Sequence, residues 1–207
     1  MLAGPNKYPP LDPHHVIDLV ERYPLAWIVS CHDGEFAVTP LPLRPRTDDS
    51  GTITHFVGHF ARSNPHVNVL RQHPRALLLF RGEQSYMSPS WMSDRTWAPT
   101  WNHIGAQFVV DIELQDDTEV LREVLRDMID TMEAGRANQW RMEETGARYE
   151  RLVPHIVAFR ADVRESKAVF KLGQDERAST YGEMVRGLTH GGETELVAWM
   201  QRYNAHR

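Results

Sequence analysis

A chain of 207 residues is long enough to bury one full core and too short for two large domains. Its 23 Lys and Arg stand against 28 Asp and Glu, a formal net charge of −5 with no basic tail or block, so direct nucleic-acid binding is not expected. The single cysteine, Cys31, excludes an internal disulfide and a cysteine-built metal cage and suits the reducing cytoplasm. Met1 to Pro10 lacks the apolar centre of a signal peptide, and the longest strongly apolar run, "ALLLF" at 76–80, cannot span a bilayer. The expectation is a cytoplasmic protein with no membrane segment.

In chain order, "LDPHHVIDLVERYP" predicts a helix, with Asp12 to cap it, Pro13 in its first turn, a Val16, Ile17, Leu19, Val20 stripe and Pro24 as its stop. "LAWIVSCHDGEFAVTPLPL" predicts strands near 25–31 and 35–41 joined by Asp33-Gly34, the strongest hairpin signal in the chain. After a polar turn, "RPRTDDSG", the segment "GTITHFVGHFA" reads as a third strand. "RSNPHVNVLRQHP" reads as a short helix capped by Ser63 or Asn64 and opened by Pro65. "RALLLFRG" and "HIGAQFVVDIEL" predict further strands on either side of "SPSWMSDRTWAPTWNH" (88–103), which gathers three tryptophans and two prolines. "DDTEVLREVLRDMIDTMEAG" predicts the clearest helix, its core face formed by Leu121, Val124, Leu125, Met128, Ile129 and Met132, with Asp116 and Glu119 as a capping box and Gly135 as the stop. "PHIVAFRADV" closes the strands, and from about residue 176 a small helical extension follows. About seven strands in hairpin order with helices between them point to an antiparallel barrel, α+β and mainly β, in one domain over 1–207.

No glycine-rich dinucleotide loop, P-loop, nucleophile elbow or helical zinc pair occurs in the sequence. Four segments could carry chemistry instead. In "GHFARSNP" (58–65), a strand runs into a helix start where Arg62 and Ser63 could hold a phosphate, or could be a solvated charge and a cap. His55 and His59, on a strand, would stand about 13 Å apart, too far to share one metal ion, so no metal site is expected. Trp91, Trp97 and Trp101, with Tyr86, could wall a flat ligand or fold over the end of the barrel as a self-packed loop; Asp94, Arg95 and His103 are the titratable groups there. Lys167 and Lys171 in "ESKAVFKLGQDER" would share one face of a strand, suited to an acidic group or to solvent. Cys31 reads as a small buried apolar residue.

The words "VTPLPL" (38–43), "GHFARSNP" (58–65), "FRGEQSYMSPSW" (80–91), "PTWNH" (99–103) and "ESKAVFKLGQDER" (165–177) occur in one order and spacing. By them the chain resembles the PaiB family of FMN-binding split-barrel proteins, historically described as negative transcriptional regulators, from about residue 10 to about 190. The resemblance implies a six-stranded split barrel with a Greek-key core and peripheral helices, and a homodimer that binds FMN in a cleft between subunits. It implies that Arg62, Ser63 and Asn64 lie at the FMN phosphate and that Thr39 and Leu41 lie on the strand lining the flavin. It places Thr100, Trp101 and Asn102 on the flavin side, and Lys167, Lys171 and Gln174 at the cofactor or dimer interface. Such a protein is an FMN-dependent oxidoreductase, with His103 or Tyr86 as the proton-transferring candidates, or a flavin-binding regulator acting without direct DNA contact; a related barrel serves haem. Met92, His103, Gly173 and Asp175 depart from the family's words, and Trp97 with "MSDRTW" is left to face a substrate or a partner.

Overall fold

The computed structural model describes residues 5–205; Met1 to Gly4 of the expected non-leader segment lie outside them. Seven strands form one antiparallel sheet: β1 (Leu25–His32), β2 (Glu35–Pro42), β3 (Arg44–Thr47), β4 (Ile53–Ala61), β5 (Arg75–Met87), β6 (Thr100–Gln115) and β7 (Ile156–Lys171). Their order is β2-β1-β5-β6-β7-β4-β3. The β1–β2 hairpin turns where the sequence predicts, through Asp33 (φ 50°) and Gly34 (φ 83°), and both residues take the left-handed backbone that a two-residue turn needs. β4 lies beside β7, the last strand of the β5–β6–β7 meander, which is a Greek-key arrangement.

The family resemblance implied six strands, and the sheet has seven, in line with the pattern count of about seven. The additional one is β3, whose "RPRT" carries no apolar alternation and reads as a turn, yet Pro45 is buried against its partner Phe56 on β4. β2 and β3 are the two edges of the sheet, and no ladder joins them, so the barrel is not closed by hydrogen bonds. Only Leu43 separates them in the chain. The sheet must therefore curl until its edges approach at that residue, which is fully buried. Gly58 permits the approach, because a Cβ there would meet the Leu43 and Phe159 side chains at 2.9 Å.

Inward-facing Phe56, Phe80, Phe108, Phe60 and Phe159 fill the barrel, with ring centroids 4.8 to 5.7 Å apart among the packed pairs. α1 (His14–Arg22) lies against β3, β5 and β6, and α2 (His66–Gln72), between β4 and β5, lies against β1, β2 and β6. α3 (Thr118–Glu133) covers β4 and β7 with Leu121, Val124 and Met128. Its cap is Asp117, whose side chain accepts from the Glu119 N–H at 2.8 Å, and not Asp116 as the capping-box reading had it. Asp116 is drawn away by Arg62. After α4 (Arg148–Leu152), β7 runs on as one strand through the lysine-bearing segment, and α5 (Ala178–His190) and α6 (Thr194–Tyr203) join the same core through Met184, Leu188, Leu196, Trp199 and Met200.

The tryptophan-rich loop is packed on α5. Trp91 lies against Gly187, where a Cβ would come within 2.3 Å of the indole. Trp97 donates its indole N–H to Glu176 at 3.2 Å, and the Ser93 N–H is held by Glu183 at 3.1 Å. Trp97 is thus docked against the chain's own C-terminal segment, contrary to the expectation that it stays free for a substrate or partner.

Candidate functional site

The strongest candidate for holding an anion is the turn between β4 and α2. The Asn64 N–H donates to the Ala61 carbonyl at 3.0 Å, which puts Arg62 and Ser63 at the two central, exposed positions. Asn64 also caps α2, accepting from the His66 N–H at 3.0 Å. α2 has only seven residues, so the case for an anion rests on the Arg62 guanidinium and the Ser63 hydroxyl and not on the helix end. The guanidinium is paired with Asp116, whose second oxygen is 3.8 Å from Arg71. The hydrogen bond from Arg62, followed by the charges of Arg62 and Arg71, holds the Asp116 carboxyl below the usual range.

Behind this turn is a buried polar chain. The Asn64 amide donates to Thr39 Oγ1 at 3.2 Å; Thr39 Oγ1 is 3.0 Å from His66 Nδ1; and His66 Nε2 is 2.9 Å from Ser30 Oγ. Thr39 and Asn64 are thereby joined to the Arg62–Ser63 turn, while Leu41, two positions along β2, packs partly buried against the core.

The second group of candidates lies where β6 begins and β7 ends. Lys171 donates to the Thr100 hydroxyl, and among the described residues no carboxylate pairs with it. His103 stands opposite Lys171 on one side and Gln84 on the other. Burial, and then the Lys171 charge, keep its imidazole below the ordinary histidine value. Trp101 and Tyr86 face each other across β5 and β6, their centroids 5.9 Å apart, and are 52% and 43% exposed. Asn102 points the other way, buried, with its amide 3.5 Å from Met200 Sδ and its carbonyl oxygen without a partner. Gln174 folds back on the end of β7, accepting from the Leu172 N–H at 2.7 Å. Lys167, opposite Gln107, lines a cleft of about 670 Å³ floored by Phe108 and Ile53.

Three departures from the family's words have local causes. Met92 is core filler, 3% exposed. Gly173 has φ 77°, a left-handed backbone that glycine adopts without a Cβ penalty. Asp175 binds Lys7 Nζ at 2.8 Å and the Tyr8 hydroxyl at 2.9 Å, while the Tyr8 carbonyl accepts from the Phe170 N–H, so the acid ties an N-terminal strap along β7. His55 bonds Arg160 and Thr54, and His59 is half-buried beside β7 with its Nδ1 buried and unpartnered among the described residues; both lie on β4 as the strand reading required. Sequence reasoning missed His66, Ser30 and Asp116. A lone histidine after a capping Asn-Pro carries no signal of its own, and only folding brings Ser30 and Thr39 to its two nitrogens.

An antiparallel barrel left open at one seam, with a guanidinium-hydroxyl turn and exposed aromatic residues beside lysines, defines a flavin-binding split-barrel protein. Residues 4–165 match the family model described as "Putative FMN-binding domain", and the chain belongs to that family. It is similar to the "Protease synthase and sporulation protein PAI 2" of Bacillus subtilis, 27% identical over 186 residues, covering 89% of this chain and 87% of that protein. Its fold is that of the flavocytochrome Anf3 from Azotobacter vinelandii (TM-score 0.58, 17% identity, 78% of this chain and 68% of that one). It is also that of the FAD and heme binding protein from Mycobacterium smegmatis (TM-score 0.58, 16% identity, 78% and 72%). The cofactor is FMN. The donors fit it: a cation and a hydroxyl for a phosphate, an exposed aromatic pair for a flat ring, and a lysine with no carboxylate partner. Among the described residues no helix is long and apolar enough to cross a membrane.

Proposed function

We propose that the protein is a homodimeric FMN-dependent oxidoreductase. The observation that carries the reading is the separation of its donors. Arg62 is bonded through its N–H to the His155 carbonyl, just before β7 begins, whereas Lys171 ends that strand sixteen residues later, so the two cations stand at opposite ends of one long strand. A second copy supplies the missing half of each site: Arg62 and Ser63 of one chain take the phosphate, Thr39 and Leu41 support the strand beside the ring, and Thr100, Trp101, Lys167, Lys171 and Gln174 come from the partner, with buried Asn102 supporting them from the core side and not touching the ligand. The outer face of the β1–β2 hairpin supports this, because Leu25, Trp27, Phe36 and Val38 form a large apolar patch on it, with Trp27 49% exposed.

Bound FMN supplies two-electron and one-electron redox chemistry. The protein orients a substrate against it, excludes water and moves the proton: the His103 imidazole, held below the ordinary histidine value by burial and Lys171, takes up and hands on a proton, with the Tyr86 hydroxyl as the alternative donor. The test follows NADH consumption by FMN-loaded protein with oxygen, ferricyanide or a quinone as acceptor. Turnover that needs bound FMN is expected; loaded protein that leaves NADH untouched with all three acceptors refutes the enzyme. Retarded DNA in a gel-shift assay at physiological salt would move the assignment to a regulator, and a Soret band with added haemin would move it to haem.

A further inference from the structure

We propose that His66 is a positioning residue that holds the Arg62–Ser63 turn in its phosphate-receiving form by bonding Thr39 and Ser30 on the β1–β2 hairpin. The inference rests on the reading that this turn receives the FMN phosphate.

The geometry is that of a buried, satisfied chain. Ser30 and His66 are each 2% exposed and Thr39 is 9% exposed. Thr39 Oγ1 accepts from the Asn64 amide, so its own proton is free for His66 Nδ1, which leaves Nε2–H to donate to Ser30 Oγ. Burial lowers the pKa of His66, so the neutral ring that this pattern requires is the form present at pH 7. Phe60 lies edge-on to the imidazole with centroids 5.7 Å apart, which fixes the plane of the ring.

The chain has one consequence for function. Asn64 closes the turn through its backbone N–H, caps α2 through its side-chain carbonyl oxygen and meets Thr39 through its amide, so the inner side of the turn is tied through Asn64 and Thr39 to His66. The turn itself is exposed, and among the described residues Asp116 and a bond to His155 hold it from outside. A group held this way from behind fixes orientation without touching the ligand.

Riboflavin, which lacks the phosphate, separates positioning from general structural support. Dissociation constants for FMN and riboflavin would be measured by flavin fluorescence for the wild type, His66→Phe, His66→Gln and Ser30→Ala, with the melting temperature of each. The wild type should prefer FMN. His66→Phe should lose roughly tenfold in FMN affinity, the scale of one well-made hydrogen-bond anchor, and leave riboflavin affinity unchanged. His66→Gln, which keeps a donor and an acceptor, should restore FMN binding to near wild type. Ser30→Ala, which removes the acceptor of the His66 Nε2–H, should repeat the selective loss if the Phe variant fails to fold. FMN preference surviving intact in His66→Phe or Ser30→Ala, or both flavins weakening equally in these variants, overturns the positioning role alone. A wild type that binds the two flavins equally overturns the phosphate reading itself, and the inference with it.

Discussion

Arg62 has two anionic suitors, and only one belongs to the protein. Asp116 pairs with the guanidinium through a side chain that is itself 63% exposed and screened by solvent. A phosphate dianion, with more charge and more acceptor oxygens, displaces it at little cost. Arg62→Ala should therefore weaken FMN binding by about 1–3 kcal/mol in isothermal titration, and unchanged affinity would remove Arg62 from the site. Asp116→Asn acts in the other direction: freed of its internal partner, Arg62 should bind FMN severalfold more tightly, and weaker binding would show that Asp116 aligns the guanidinium instead of competing for it. The words "ARSNP" marked this turn in the sequence, because Asn-Pro before an amphipathic run is a helix start and Arg-Ser before it is an anion pair. Its competitor was not legible, since Asp116 is 54 residues away and was read as a cap.

Among the elements, the loop over 88–99 and α5 stabilise each other, most closely where Trp91 meets Gly187. Gly187 is there because the Trp91 indole leaves no room for a methyl group, the nearest ring atom lying 2.3 Å from where a Cβ would be. Gly187→Ala should raise helix propensity slightly and still destabilise the fold, by about 1–3 kcal/mol of overpacking strain; an unfolding midpoint in urea equal to or above wild type would refute that packing. The loop's clustering of tryptophans was visible in the sequence and its purpose was not. Of the three indoles, Trp91 and Trp97 went to the C-terminal segment and only Trp101, at the start of β6, stayed on the exposed face. The choice depends on α5, which lies some 90 residues further on and brings Glu183 and Gly187 to the loop.

For the whole molecule, five histidines decide the acid side of stability. Burial is the first cause that lowers His15, His55, His59, His66 and His103 below their unfolded value of about 6.5. A group depressed in this way is neutral in the fold and takes up its proton first in the unfolded chain. Stability is therefore level above about pH 7 and falls as pH drops below 6.5, with a limiting slope of about 1.4 kcal/mol per pH unit for each histidine still neutral. Urea midpoints measured from pH 8 to pH 5 should show that fall, and His59→Phe should reduce it; a flat profile would mean that these rings are hydrated. At the same scale, Trp27→Asp should convert the proposed dimer to a monomer in light scattering and weaken FMN binding with it, because half of each site would be lost.

By itself the sequence determined the class of fold, most of the strands and helices, the FMN family and the turn at Arg62. These depend on local patterns: alternation in β4 and β6, a 3.6-residue stripe in α3, Asp33-Gly34 between β1 and β2, and short words in fixed order. The tertiary structure decided the rest. It made "RPRT" an edge strand because Pro45 finds Phe56, and it curled an unclosed sheet through the single residue Leu43. It turned Asp175 toward Lys7 and Tyr8, and it set Ser30 and Thr39 at the two nitrogens of His66. Each of these joins residues distant in the chain whose types carry no local signal. A buried hydrogen bond is specified by which surfaces meet, and the surfaces meet only when the core has formed.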